Sequence, residues 1–402
     1  MPHTFAQSVE IVTTVLTIAG MGYFLAALVA AQVFLSARRA PLPAFAPGVS
    51  ILKSLKGLDP AMLDAFRSHC RQTYAGEYEL MFGVASLDEP ALAAVDQLKR
   101  EFPAHSIRVI ECPEKLGTNG KVSNLVQLAA HARFQYLLIN DSDITVSPRY
   151  LERVMAQFAP QPQSAAAAPK QPAHVGLVTA LYRGRAHFTL PSRLEALGIA
   201  TDFQAGVLLS RMIEGGLHYG LGSTLAVSRD ALEKIGGLEC LVDHLADDYE
   251  LGACVSRAGF RVALSAEVVE TGVPGYAWRA FIDHQLRWAR TVRDARPWGY
   301  AGLIFTHGLA WAMFNVLASG LSPLSVWLLA LSFFLRLSLA MTVGAQVLAD
   351  HQVLPNLWLL PFRDLVAILI WAFGFAGNTI VWRGEQFELK HGKLKKFPGT
   401  ST

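Results

Sequence analysis

Apolar positions along the chain follow two different periods. Between residues 47 and 158, runs of strand length at 49–52, 78–84, 107–111 and 136–140 alternate with stretches of helical spacing near 60–73, 90–100, 121–132 and 148–158. Apolar strands separated by amphipathic helices predict an α/β domain built on a mainly parallel sheet with helices on both faces. A further strand is expected at 175–181, and helical patterns at 189–214, 247–257 and 278–292. The helix at 189–214 carries an apolar patch from Gly206 to Leu209 between Arg193 and Arg211. It reads equally as an interfacial helix or a core helix. Residues 160–172, rich in Pro, Ala and Gln, read as a surface loop.

Outside this region the pattern is almost purely apolar. Residues 9–35 carry only Glu10 as a charge, and 299–320, 323–348 and 357–382 form further long apolar segments. At about 1.5 Å of rise per residue, such runs match a bilayer core of roughly 30 Å. The expected organisation is a membrane anchor in 1–46, a catalytic domain in 47–298, two or three membrane segments in 299–382, and a basic tail in 383–402. Composition agrees: 52% of the 402 residues are hydrophobic and 17% charged, where a soluble chain carries nearer a quarter charged.

No Lys or Arg precedes the first apolar run, while Arg38 and Arg39 follow it. This favours a retained anchor over a cleaved signal peptide and places the domain in the cytoplasm. The tail residues Arg383, Lys390, Lys393, Lys395 and Lys396 prefer that same side. Three C-terminal spans would put them on the other. One segment is therefore expected to be re-entrant or interfacial, and Arg336 and Arg363, which interrupt the last two, mark the candidates. The net charge of +3, without a basic stripe, argues against a nucleic-acid partner. Cys70, Cys112, Cys240 and Cys254 lack the CxxC spacing of zinc or redox motifs and suit a reducing compartment.

Ligands of parallel sheets bind beyond the carboxyl ends of the strands. Asp88 follows one such strand, and Asp141 and Asp143 follow another. Carboxylates two apart at a strand end can turn to one site and supply hard oxygen ligands for Mg²⁺ or Mn²⁺, although Asp-x-Asp alone also occurs in ordinary loops. Asp247-Asp248 opens a helical pattern. Acids there favour the helix dipole, or one of them serves as a general base. Lys121 ends the run from Lys115 through Gly117 and Gly120, at the start of a helix where anions bind. His284 and Arg287 share a helix face, and a guanidinium suits a diphosphate. The same helix, with Arg290 and Arg293, also reads as a basic helix at a membrane surface.

The order of these elements resembles the ceramide glucosyltransferase family, glycosyltransferase family 21, whose members carry a GT-A nucleotide-sugar domain. The resemblance runs from PGVSILKSLKGLD at 47–59 through Asp88-Glu89-Pro90, Gly117 to Lys121 with Asn124-Leu125, and Asp141-Ser142. It continues through Gly236-Gly237-Leu238 and Asp247-Asp248-Tyr249 to Arg287-Trp288, and so covers about 47–295. It implies that Lys56, Asp88 and Lys121 bind nucleotide and that Asp141 lies on the metal and diphosphate side. It further implies that Asp248 is the base, and that His284, Arg287 and Trp288 stand for a (Gln/Arg)-x-x-Arg-Trp motif. His284 departs from that motif, and Asp143 adds a second acid. The implied reaction is inverting transfer of one hexose from a UDP-sugar to a lipid hydroxyl. The runs at 245–249 and 284–290 resemble the bacterial hopanoid-associated branch, implying an inner-membrane enzyme and transfer of N-acetylglucosamine to bacteriohopanetetrol. Glucosylceramide synthesis is the alternative. A processive polysaccharide synthase shares the signature but needs more spans, and a non-catalytic membrane scaffold would not need the full set of acids.

Overall fold

The structure is a computed structural model that describes residues 5–160, 174–382, 385–390 and 392–396. The segment read as a surface loop at 160–172 lies, beyond Pro160, outside the described residues, as does Arg383 of the tail. The chain groups into two compact units. One is Ala40–Arg183 with Ile213–Gly272; the other is Met1–Arg39 with Gly184–Met212 and Val273–Thr402.

The first unit is built on a seven-stranded sheet. Its strands are β1 (Val49–Ser54), β2 (Tyr78–Val84), β3 (Ser106–Glu111), β4 (Tyr136–Ile139), β5 (Val175–Ala186), β6 (Leu225–Ser228) and β7 (Arg261–Val273). Their order is β3-β2-β1-β4-β6-β5-β7. The first four in that order are parallel, and β6 runs antiparallel to both β4 and β5. The expected mainly parallel α/β sheet is thus present. Pairing of Ser54 with Gly83, Val84 with Glu111 and Leu52 with Ile139 brings the parallel strands out at one edge.

Five residues of β1 are buried, as a strand covered on both faces requires. On one face, Val49, Ile51, Leu80, Phe82 and Leu138 pack with Met62 and Phe66 of α2 (Met62–Cys70), Val95 and Leu98 of α3 (Leu92–Glu101), and Leu151 and Val154 of α5 (Tyr150–Met155). Each such side chain contributes roughly 1.5–3 kcal/mol on burial. The other face carries α4 (Gly120–Ala130). There Gly83 admits Leu128, whose Cδ2 would stand 3.4 Å from a Cβ at that position. Two more helices, α8 (Arg229–Ile235) and α9 (Asp247–Arg257), complete the unit, and α8 ends on Gly236 at a φ of 86°.

The second unit is helical. Its first helix, α1 (Phe5–Ala37), is longer than the expected 9–35. Next come α6 (Leu190–Gly198), a π-turn at Ile199–Phe203, and α7 (Gln204–Ile213). After α10 (Trp278–Ala295) the chain forms α11 (Pro297–Gly302) and a 3₁₀ turn to Thr306, then bends by 56° into α12 (Gly308–Ala318). Last among the helices are α13 (Pro323–Ala340), continued as a π-turn to Val347, α14 (Val353–Asn356) and α15 (Leu360–Gly374). Among the described residues, three helices are long and apolar enough to cross a membrane, Phe5–Ala37, Pro323–Val347 and Val353–Gly374, and the bent pair adds a fourth if it is one span.

Two expectations change here. The last apolar segment does not run on to Trp382. Its helix stops at Gly374, and the strands β8 (Thr379–Trp382), β9 (Glu385–Lys390) and β10 (Lys393–Lys396) form an antiparallel meander. The cause is local: Gly377 at a φ of 72° turns the chain, and Ile380, Phe387, Leu389 and Leu394 supply a buried face. Nor do Arg336 and Arg363 interrupt their helices. Arg336 pairs with Asp364 and Asp202, and Arg363 with Asp202.

The contacts order these helices along α1. Gly308 lies against Gly20 at mid-helix, where a Cβ on either would overlap the other's backbone. Asn315 Oδ1 accepts from Thr13 and Thr14 near the start of α1. At its far end, Arg38 donates to the Val347 carbonyl. So α12 climbs toward the start of α1, and α13 returns to its end. The segment Val353–Gly374 begins beside Gln352, bonded to Gly184 and Ala186, and ends where Arg293 donates to the Gly374 carbonyl. These two anchors belong to one group, because Glu195 of α6 binds His284 and Gln285 of α10. The contacts thus run α12 toward the start of α1 and α13 back to its end, which sets Leu321 and Arg39 at opposite ends of α1. With single cysteines, Leu321→Cys should label with an impermeant maleimide from the side opposite Arg39→Cys. Labelling of both from the same side would contradict it.

Candidate active site

The acids and bases of interest in the sheet unit gather at its carboxyl edge. Lys53 is the penultimate residue of β1 and is fully buried. Its ammonium stands over the Phe66 ring, 5.9 Å from the centroid, and Nζ donates to the Asp141 main-chain oxygen at 3.0 Å. Burial pushes its pKa down to about 7, against the pull of Asp143 and then Asp141. Beneath the edge runs a buried polar chain. Asn140 donates to Tyr150 Oη at 3.0 Å and to the Ser223 carbonyl at 2.6 Å, and its Oδ1 meets His69 Nε2 at 3.2 Å. Burial, then the charge of Lys53, holds His69 neutral with a pKa of about 3. The end of β4 is thereby tied to the turn at Leu221–Thr224.

Asp141 and Asp143 leave β4 on this platform. Asp143 Oδ2 accepts from Thr271 Oγ1 at 2.5 Å and from the Gly272 amide at 3.1 Å. Burial, then the charge of Asp141, raises its pKa, and the Thr271 bond opposes the rise. Asp141 Oδ1 receives Lys121 Nζ at 2.8 Å, and the same ammonium reaches Asp247 Oδ2 at 3.2 Å. Burial works against the charge of Lys121, but Asp141 and then Asp247 outweigh it and hold its pKa above the usual value.

The turn from β3 into α4 is stitched to the start of α9. Asn119 caps α4, its Oδ1 accepting from the Lys121 and Val122 amides. Its amide donates to the His244 carbonyl at 2.8 Å and to Asp247 Oδ1 at 3.4 Å. Thr118 binds Asp243 through both N and Oγ1, and Gly117 leaves the space that Val242 occupies. The helix terminus expected to meet an anion thus has its first amides taken by Asn119.

Asp248 sits one residue past this clamp. Its carboxylate lies over Gly222, where a Cβ would stand 2.8 Å from Oδ2. Burial, then the like charge of Asp247, raises its pKa to about 6, with Lys121 pulling the other way. A carboxyl poised there is charged near neutrality yet basic enough to take a proton. The arrangement therefore holds a Lys121-paired acidic edge and a desolvated carboxyl on a shared scaffold.

The other sequence candidates fall as follows. Asp88 is exposed in the loop after β2, and Lys56 is exposed after β1. His284, Arg287 and Trp288 lie on α10 in the helical unit. His284 Nδ1 stands 3.0 Å from the buried Glu195 Oε2 and 3.1 Å from Tyr276 Oη, and its ring lies 4.9 Å from that of Trp288. Among the described residues no group of three or more His, Cys, Asp or Glu side chains converges as a complete metal cage. Sequence reading missed Lys53, Asn119, Gly222 and Glu195. Only Lys53, a lone charge in an apolar strand, and Asn119, a helix cap before Gly120, left a readable signal.

The family model described as glycosyl transferase family 21 matches residues 12–395. Ceramide glucosyltransferase 3 of Caenorhabditis elegans is 24% identical over 366 residues, spanning 86% of this chain and 73% of that protein. Ceramide glucosyltransferase 1 of the same organism is 23% identical over 360 residues, spanning 86% and 72%. Among solved structures, a mannosyltransferase from Pyrobaculum calidifontis in complex with GDP-Man and Mn²⁺ superposes with a TM-score of 0.52 at 17% identity, covering 92% of this chain and 97% of that one. That likeness establishes the shared glycosyltransferase fold. Asn119→Ala removes both the cap and the clamp on 244–247. It should lower unfolding stability by about 1–2 kcal/mol in a denaturant titration, and an unchanged midpoint would contradict the clamp.

Proposed function

The chain belongs to glycosyl transferase family 21, and from that premise we propose that it moves one hexose from a UDP-sugar to the hydroxyl of a membrane lipid with inversion. The observation that carries this reading is Asp248, a desolvated carboxyl of pKa about 6 set beside the Lys121-bridged acids. An attacking hydroxyl must lose its proton as the new bond forms, and Asp248 is the group suited to take it. Gly222 leaves the space that lets this carboxylate face the edge.

The residues at the end of β4 fit a hard divalent cation. Asp141 and Asp143 are carboxylates two apart, and Asp143 is oriented by Thr271 and Gly272 while burial and Asp141 oppose its ionisation. A cation would relieve that opposition. With no third protein ligand among the described residues, its other positions fall to diphosphate oxygens and water, the usual habit of Mg²⁺. Mg²⁺ or Mn²⁺ held by Asp141 and Asp143 would supply charge neutralisation to the departing diphosphate. Lys121 adds a fixed positive charge on the same side. Asp88 and Lys56 we assign to the nucleotide, and Arg287 with Trp288 to the diphosphate and its surroundings, on their match to the family motifs. His284, oriented by Glu195 and Tyr276, takes the place of the family's Gln or Arg as a hydrogen-bonding partner.

The candidate spans Phe5–Ala37, Pro323–Val347 and Val353–Gly374 support an integral membrane protein. Arg38 and Arg39 at the end of α1 support a catalytic side in the cytoplasm, of a bacterium on the hopanoid reading. Arg290 and Arg293 of α10 bind Thr379, Gly377 and Asn378, which ties the meander with Lys390, Lys393 and Lys395 to α10. The names of the relatives support glucose and ceramide. The runs at 245–249 and 284–290 support N-acetylglucosamine and a hopanoid. Mass spectrometry of products from UDP-glucose and UDP-N-acetylglucosamine, each offered with ceramide and bacteriohopanetetrol, decides between them.

Asp248→Asn should cut kcat by about 10²–10⁴-fold and leave UDP binding by calorimetry within a few-fold. In the wild type, the rate should fall as pH drops through about 6, because protonation disables the base. Near-normal turnover by Asp248→Asn would remove the base assignment.

A further inference from the structure

Past the last candidate span the chain builds a small sheet with one charged face. The strands β8, β9 and β10 bury Ile380, Phe387, Leu389 and Leu394 on one side. On the other side Val381, Gln386, Glu388, Lys390, Lys393 and Lys395 are exposed. The antiparallel register sets Lys393 directly opposite Lys390, and Lys395 opposite Glu388. Facing residues of such a pair share one face with Cβ atoms about 5 Å apart, and like charges there weaken the hairpin. Among the described side chains this face carries three lysines and one carboxylate. Folding alone does not require that arrangement, since one acid at 390 or 393 would turn repulsion into attraction. An anion resting on the face would offset the repulsion instead.

The meander is mounted firmly on the helices beside it. Arg290 of α10 donates to the Thr379 carbonyl at 2.6 Å. Arg293 donates to the carbonyls of Gly374 at 2.6 Å and Gly377 at 3.0 Å. The Gly374 carbonyl is among those that the end of α15 leaves without a helical partner. Asp294 accepts from the Gly392 amide, in the turn between Lys390 and Lys393. This acid of α10 therefore serves the hairpin backbone. Together these contacts fix the lysine face just past the end of Val353–Gly374.

Aromatic side chains mark that same end. Tyr300 Oη donates to the Trp371 carbonyl at 2.8 Å, and Trp371 Nε1 donates back to the Tyr300 carbonyl at 2.9 Å. The Phe375 ring packs on both, at 5.1 and 5.2 Å between centroids. Trp298, two residues before Tyr300, is 90% exposed, and Phe373 and Phe375 are exposed as well. Trp and Tyr gather at the level of lipid headgroups, where an apolar ring and a polar edge are both satisfied. A cluster of lysines immediately beyond such a helix end is suited to an anionic leaflet.

We propose that the outer face of the meander, through Lys390, Lys393 and Lys395, rests on the phosphodiester headgroups of anionic phospholipids in the bilayer that holds Val353–Gly374. Lysine is a compact charge with three rotatable donors on a flexible stem, which fits a layer of mobile phosphates. The surface selects charge rather than one headgroup. It rests on the membrane reading above, and not on the identity of the sugar or of its acceptor.

The full-length protein is reconstituted in phosphatidylcholine vesicles. Electron paramagnetic resonance then compares the motionally restricted fractions of spin-labelled phosphatidylglycerol and spin-labelled phosphatidylcholine. Flotation with the vesicles after an alkaline carbonate wash reports membrane insertion separately. The wild type should prefer the anionic label at least about twofold at low salt, and about 1 M salt should erase most of that preference. Combining Lys390→Gln, Lys393→Gln and Lys395→Gln should bring the preference close to unity. Lys393→Glu, which sets an acid opposite Lys390, should lower the preference while the melting temperature stays at or above that of the wild type. A folding defect then cannot stand in for lost binding.

Equal association of both labels with the wild type, or an unchanged preference in the triple variant, would overturn the surface. So would saturable capture of soluble inorganic phosphate without a preference for the anionic lipid. Insertion without lipid preference would remove the surface and leave the membrane reading standing. Flotation that carbonate reverses, with the anionic preference intact, would uphold the surface and remove the spanning segments.

Discussion

One ammonium group holds the acidic edge of the sheet unit together. Lys121 lies between Asp141 at the end of β4 and Asp247 at the start of α9, at 2.8 and 3.2 Å. Without it, the carboxylates of Asp141, Asp247 and Asp248 would repel one another, and the turn carrying Asn119 would lose its charged bond to α9. With it, two strand ends and two helix starts share one polar cluster. The position of Lys121 follows from its place as the second residue of α4, which Asn119 caps and Gly117 lets approach Val242.

The same cluster sets the chemistry. Burial and Asp247 push Asp248 toward the neutral form, and Lys121 limits the rise. A second cation, Lys53, lies under the Asp141 main chain with its pKa lowered to about 7. The edge is therefore balanced between carboxyls whose ionisation burial opposes and a buried ammonium whose charge burial opposes. On the proposed reading, such an edge would meet a divalent cation and a charged donor while Asp248 stays available to a neutral hydroxyl.

Much of this was legible in the chain because the strands are short, apolar and regularly spaced. The β1 to β4 alternation, the helix from Asp247 to Arg257 and the helix from Trp278 onward all appear where periodicity placed them. What could not be read depends on tertiary partners. Glycines at 222 and 308 look alike in sequence, yet one makes room for a carboxylate and the other for a neighbouring helix backbone. Arg336 and Arg363 look like breaks in apolar segments because their partners, Asp202 and Asp364, become visible only when three distant stretches meet. The tail looked like solvated charge, but alternate residues Phe387 and Leu389 bury one face of a meander.

The most direct test of the Lys121 bridge is the pH dependence of sugar transfer by Lys121→Met beside the wild type. Lys121 lowers the pKa of Asp248, so its removal should move the acidic limb of kcat/KM upward from about 6. A limb that stays in place, or moves to lower pH, would contradict an Asp248 base governed by this bridge.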